Sequence, residues 1–188
     1  GSGRVFLTLL APADAQPLVR PEIMQKDVSH LPYEALSVVA GCGGANSIEA
    51  HLDEILGRSK FLVLDADALN AISTSPSLQN QLSQRPEGST VLTPHPLEAA
   101  RLANTSTENI QSNRLLHAQT LADRFSCTVV LKGAGSIIAA PNKTPRINTS
   151  GNAKLAIGGS GDVLAGLIGA YFFNELNAFD ASCAAVFR

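Results

Sequence analysis

The chain has 188 residues, enough for one sizeable domain, and 45% of them are hydrophobic, enough to pack a core. Lys plus Arg total 14 against 16 Asp plus Glu, a net charge of −2, so there is no basic field for nucleic acid and no polybasic face for a membrane. Aromatics are 5% with no Trp, which argues against single-strand stacking platforms. Three widely spaced cysteines (Cys42, Cys127, Cys183) predict buried or incidental thiols in a reducing cytosol, with no disulfide framework and no metal-ligand cluster.

In chain order, Val5 to Leu10 (VFLTLL) reads as a strand, and Gly1-Ser2-Gly3-Arg4 ahead of it is not a secretory signal. Leu36 to Ala40 is the next strand and runs into Gly41-Cys42-Gly43-Gly44, after which Asn46 is placed to cap a helix reaching about Leu56. Phe61 to Leu64 (FLVL) is a strand ending in Asp65-Ala66-Asp67. Gln84 to Thr90 reads as a surface loop, and the short strand Val91-Leu92 ends in Thr93-Pro94-His95-Pro96. Thr105 and Glu108 form a capping-box pattern ahead of a helix carrying Ile110, Leu115, Ala118, Leu121, Ala122 and Phe125. Thr128 to Leu131 (TVVL) ends in Lys132-Gly133-Ala134-Gly135, and Ser136 to Ala140 returns as a hairpin. From Asp162 the chain is helical, and Val163 to Phe173 reads as a buried helix, too short for a bilayer, which needs about 20 residues.

The strand runs are continuous rather than alternating, as in strands covered on both faces, and they alternate with helices. That predicts an α/β domain with an open, mostly parallel sheet between helices. Ligands of such sheets bind outside the carboxyl ends of the strands, where Gly41 to Gly44, Asp65 to Asp67, Thr93 to Pro96 and Lys132 to Gly135 all fall.

Gly158-Gly159-Ser160-Gly161-Asp162 opens the last apolar helix. The glycines allow a tight turn that aims N–H groups at one point, and the helix N-terminus adds about half a positive charge, suiting a phosphate. Asp162 in this first turn is poised to take a proton from a hydroxyl attacking phosphorus. Asp65 and Asp67 are two apart and both could face the cleft, orienting substrate hydroxyls or a magnesium water, while Asp67 could equally cap a helix. Lys132 could neutralise a phosphate or be a surface Lys on a hairpin turn, and His95 between two prolines could be structural.

GNAKLAIGGSGDVLAGLIGA (Gly151 to Ala170), TPHPLEAARL (Thr93 to Leu102), LDADALN (Leu64 to Asn70), VVLKGAGSIIA (Val129 to Ala139) and RPEIM (Arg20 to Met24) together resemble the ADP/ATP-dependent NAD(P)H-hydrate dehydratases. The resemblance implies a ribokinase-like three-layer α/β/α sandwich over residues 1–188, incomplete at both ends. It implies a hydro-lyase that removes water from the S epimer of NADHX or NADPHX, with ADP as co-substrate, AMP and phosphate as products, and Mg2+ as cofactor. Asp162 would be the base on the ring hydroxyl. Gly43, Asp65, Asp67 and His95 would contact substrate, and Lys132, Gly133, Ala134, Gly135, Ser136 and Gly161 the nucleotide. It further implies a cytoplasmic homo-oligomer, commonly a tetramer, sometimes fused to an upstream epimerase domain. The chain departs from the family pattern at GCGGAN, where G-P-G-L-G is commoner, at Leu97 for Gly, at Lys154-Leu155 for Gly-Met and at Ile157 for Thr or Ser. A ribokinase-like kinase for a small hydroxylated molecule and a truncated, non-catalytic nucleotide-binding domain are the alternatives.

Overall fold

The structure, a computed structural model, describes residues 4–10, 20, 22–43, 45–173 and 177–188. Gly1-Ser2-Gly3, the Pro21 of the RPEIM motif and the Gly44 of the first glycine turn lie outside the described residues.

A six-stranded sheet runs in sequence order: β3 (Ser37–Ala40), β4 (Phe61–Leu64), β5 (Thr90–Leu92), β6 (Thr128–Leu131), β7 (Ile137–Ala139) and β8 (Arg146–Ile147). The first four are parallel, and β7 and β8 are antiparallel additions. The expected hairpin is therefore present, with Val130 opposite Ile138. Two further strands, β1 (Val5–Leu7) and β2 (Ile23–Gln25), pair with each other in parallel, apart from this sheet. VFLTLL thus contributes only its first three residues to a strand, and IMQ and RI are strands the sequence pattern did not signal, because neither shows a buried alternation.

Helices α1 (Glu49–Arg58), α2 (Ala66–Thr74), α3 (Pro76–Ser83), α4 (Pro96–Ala103), α5 (Thr107–Ser112) and α6 (Arg114–Phe125) connect the parallel strands. Every crossover steps to the next strand in the same direction, so a single handedness stacks all six helices on one face. There Leu62, Leu64, Leu92, Val129 and Leu131 pack with Leu52, Leu69, Leu102 and Phe125. The intervening strand residues, Val63, Val91 and Val130, point to the other face, onto α7 (Ser160–Phe173) and α8 (Ala178–Phe187). Both faces being covered is why the runs read as continuously apolar.

Four local expectations are corrected. Asn46 does not cap α1: it lies within a 3-10 turn (Ala45–Ile48) that leads into the helix. Ser106, not Thr105, caps the next helix through the Asn109 N–H, and that helix breaks at Asn113 into α5 and α6, leaving Leu115 48% exposed. Helix α7 is apolar all round but buries only one face. Ala165, Ile168 and Phe172 pack inward while Val163 and Phe173 stay exposed, because among the described residues a layer covers it only on the sheet side. Finally, the loop before β5 is not merely surface: buried Arg85 donates to the carbonyls of Leu56 and Ser59 and to Thr90 Oγ1, tying α1 to β5.

Candidate functional site

The carboxyl ends of β3 to β6 and the first turn of α7 converge on one cleft. β4 delivers Asp65, whose backbone is extended, and Ala66 then turns left-handed (φ 46°) to start α2. Asp65 occupies the cap position of α2 without capping it; its side chain, 1% exposed, turns into the cleft instead. Room for this comes from Gly41 (φ +109°), where a Cβ would collide with the Asp65 carbonyl oxygen.

Lys132, at the end of β6, places its ammonium 2.6 Å from Asp65 Oδ1 and 3.9 Å from Glu98 Oε2. Its backbone N–H donates to the Pro94 carbonyl, which fixes the β6 exit against the proline turn. The half-buried Lys132 charge is thus matched by two buried carboxylates. The same ammonium lies 3.4 Å from where a Cβ on Gly161 would stand, so it also borders the α7 N-terminus.

His95 caps α4: its Nδ1 accepts the N–H groups of Leu97 and Glu98, and Glu98 accepts the His95 N–H in return. The His95 Nε2 lies 3.2 Å from Glu98 Oε1. Glu98, 4% exposed, thereby links His95 to Lys132. The sequence reading did not single out Glu98, although His-Pro-Leu-Glu is a capping box with His in the capping role.

The remaining predicted residues divide. Asp67 turns away from Asp65, accepting the Ala45 N–H at 2.7 Å, so the two carboxylates do not act side by side. Gly133, Ala134 and Gly135 are exposed, and Ser136 Oγ donates to the Gly133 carbonyl. Arg114, unremarked in the sequence, donates to the carbonyls of Leu131, Lys132 and Gly135 and holds this loop from α6. Gly43 is open to solvent, with nothing within 4 Å of an added Cβ.

Asp162, exposed in the first turn of α7, meets the cleft at its open side. Ligand atoms of Cys42, Asp65 and Asp162 all lie within 4.8 Å of one another. Partial burial, the charges of Asp65 and Asp162 and a hydrogen bond to Asp162 push the Cys42 thiol up to about 12, only partly offset by Lys132. A cavity of about 960 Å3 opens from here between β1, β3 and α7, bordered by Gly41, Cys42, Gly43 and Asp162. Of the departures from the family pattern, Leu97, Leu155 and Ile157 are 45%, 63% and 67% exposed, so each presents an apolar group to solvent rather than to the core.

Comparison with known proteins agrees with this layout. Residues 11–188 match the family model described as NAD(P)H-hydrate dehydratase. An ADP-dependent (S)-NAD(P)H-hydrate dehydratase from Neisseria meningitidis serogroup B is 39% identical over 170 residues, covering 87% of this chain and 57% of that protein. A bifunctional NAD(P)H-hydrate repair enzyme from Escherichia coli is 37% identical over 172 residues, covering 88% of this chain and 32% of that protein. The chain therefore spans about half or less of these relatives' length. The solved Bacillus subtilis ADP/ATP-dependent NAD(P)H-hydrate dehydratase, co-crystallised with ATP/Mg2+ and soaked with CoA, superposes with a TM-score of 0.70 at 26% identity, covering 89% of this chain and 62% of that one. The architecture is ribokinase-like, as the resemblance implied. The chain belongs to the NAD(P)H-hydrate dehydratase family.

Proposed function

With that family membership as the premise, we propose that the chain dehydrates the S epimer of NAD(P)H hydrate at the expense of ADP. The observation that carries the reading is Asp162. It is an exposed carboxylate at the N-terminal end of an apolar helix, directly after the glycines, with the half-buried Lys132 paired to the buried Asp65 behind it. The ring hydroxyl attacks the β-phosphorus of ADP as Asp162 takes its proton, and AMP leaves. The phosphorylated oxygen then departs as phosphate while the neighbouring ring carbon loses a proton, restoring the double bond.

Supporting roles follow from placement. The N–H groups at Gly161 and the start of α7 face the transferred phosphoryl, and Lys132, beside Gly161, adds its charge there. Gly133, Ala134, Gly135 and Ser136 offer an exposed backbone turn to the nucleotide. Gly43 and His95 border the substrate side, with Asp65 orienting Lys132 and Asp67 holding the turn at Ala45. Mg2+ takes oxygen donors, and the exposed carboxylate of Asp162 fits one; a bound Mg2+ would neutralise phosphate charge. The exposed Leu115, Leu116 and Phe187 support a homo-oligomer, for which the family resemblance implies a cytoplasmic tetramer, and the bifunctional repair enzymes among the relatives support an upstream epimerase domain in the whole protein. Among the described residues no helix is long and apolar enough to cross a membrane.

The test supplies S-NADHX with ADP, then with ATP, and follows NADH absorbance. Recovery with ADP is expected. Turnover with ATP alone would reassign the nucleotide, and no recovery with either would overturn the reading. Light scattering showing only monomer would overturn the oligomer.

A further inference from the structure

At Gly41-Cys42-Gly43 this chain carries a thiol where the family pattern commonly has proline. The fold brings that thiol to two carboxylates from separate elements. Cys42 comes from the turn after β3, Asp65 from the end of β4, and Asp162 from the first turn of α7. Cys42 Sγ lies 4.0 Å from Asp65 Oδ2, and all three ligand atoms fall within 4.8 Å of one another. Asp65 is 1% exposed; Lys132 satisfies its Oδ1, while its Oδ2 faces the sulfur.

We propose that Cys42, Asp65 and Asp162 form a binding site for a thiophilic divalent cation of the zinc class. A tetrahedral ion with one thiolate and two carboxylate oxygens spaces its ligand atoms roughly 3.4–3.6 Å apart, from bond lengths of about 2.3 and 2.0–2.2 Å. The observed separations, 4.8 Å at most, therefore need to contract by no more than about 1.4 Å, within reach of side-chain rotation at two exposed residues. The thiol releases its proton to solvent, so three negative ligands meet a dication, and the Lys132 ammonium, shared with Glu98, offsets part of the remaining charge. The fourth position faces the open cleft and takes water. The sulfur selects a zinc-like ion over Mg2+, which prefers an all-oxygen shell. Binding also occupies Asp162. That consequence rests on the reading of Asp162 given above, whereas the site itself does not.

Cobalt(II) is the probe, because a thiolate ligand gives a charge-transfer absorption that oxygen ligands do not. Titrating the chain with Co2+ should produce this absorption saturating at a single equivalent, and Zn2+ should abolish it while the same concentration of Mg2+ should not. Cys42→Ser should eliminate it and Cys183→Ser should retain it. Asp162→Asn, at an exposed position, should weaken Co2+ at least tenfold with the fold intact by circular dichroism. Below the thiol's ionisation, affinity should rise about tenfold per pH unit, one proton being released. No absorption, its survival in Cys42→Ser, undiminished affinity in Asp162→Asn or equal displacement by Mg2+ would each overturn the proposal. Because the readout is the metal's own spectrum, these outcomes leave the dehydratase reading standing.

Discussion

The two sides of the cleft are built to different rules. On the β4–β6 side, Asp65, Glu98, Lys132 and His95 are linked to one another, and both carboxylates are almost wholly buried. On the α7 side, Gly158 to Asp162 leave their backbone groups and the Asp162 carboxylate largely open, and a Cβ built on Gly158 or Gly159 would meet nothing within 4 Å. A wired wall holds its geometry before any ligand arrives, whereas an open turn keeps its donors for the ligand. Loss of a residue from the wall should therefore register as stability, and loss from the turn as chemistry.

The largest expected effect tests the open side. Asp162→Asn should lower turnover of S-NADHX by about a hundred- to ten-thousand-fold, the usual cost of losing a general base. The midpoint of urea unfolding should stay near wild type, because Asp162 is exposed. Near-normal turnover would reduce Asp162 to a helix-end carboxylate. On the wired side, Lys132→Ala leaves Asp65 and Glu98 buried without their cation and should cost about 3 kcal/mol in urea unfolding, within the range for breaking buried pairs. An unchanged midpoint would mean that solvent screens the pair and that the wall is not prebuilt.

Cys42 lies where the two sides meet, and its titration reports on both. With the thiol raised to about 12 against an ordinary value of 9.0, iodoacetamide should alkylate it at least about a hundredfold more slowly than a free peptide thiol near neutral pH. Asp162→Asn should speed the reaction by removing one of the charges responsible. The sign for stability follows from the same shift. The folded protein keeps the thiol protonated where the unfolded chain ionises it, so this contribution is intact below pH 9 and is lost as pH climbs towards 12. Stability rising through that window would contradict the assignment. The smallest effect belongs to His95→Ala, which removes the α4 cap and should cost about 1 kcal/mol, measured by thermal or urea unfolding.

Features that depend on near neighbours could be read before folding. Continuous apolar runs placed β4 and β6 with the bounds observed, because strands covered on both faces must be apolar at every position. The GGSGD turn marked the start of α7, because glycines and a first-turn carboxylate suit a helix N-terminus. The convergence of motifs at strand ends was legible for the same reason. The partners of these residues were set by the folded arrangement. Lys132 spends its charge on Asp65, 67 residues away, so a lysine legible as a phosphate ligand is first the partner of a buried carboxylate. Asp65 and Asp67 share a motif but part company, because the left-handed turn at Ala66 sends one side chain into the cleft and the other to Ala45. Glu98 and Arg114 escaped notice because their partners come from other elements or through the backbone. Cys42 read as incidental because its two carboxylate neighbours reach it from β4 and α7. Periodicity and propensity act over a few residues, while these contacts arise only once strand order and helix placement have brought distant ends of the chain to one edge of the sheet.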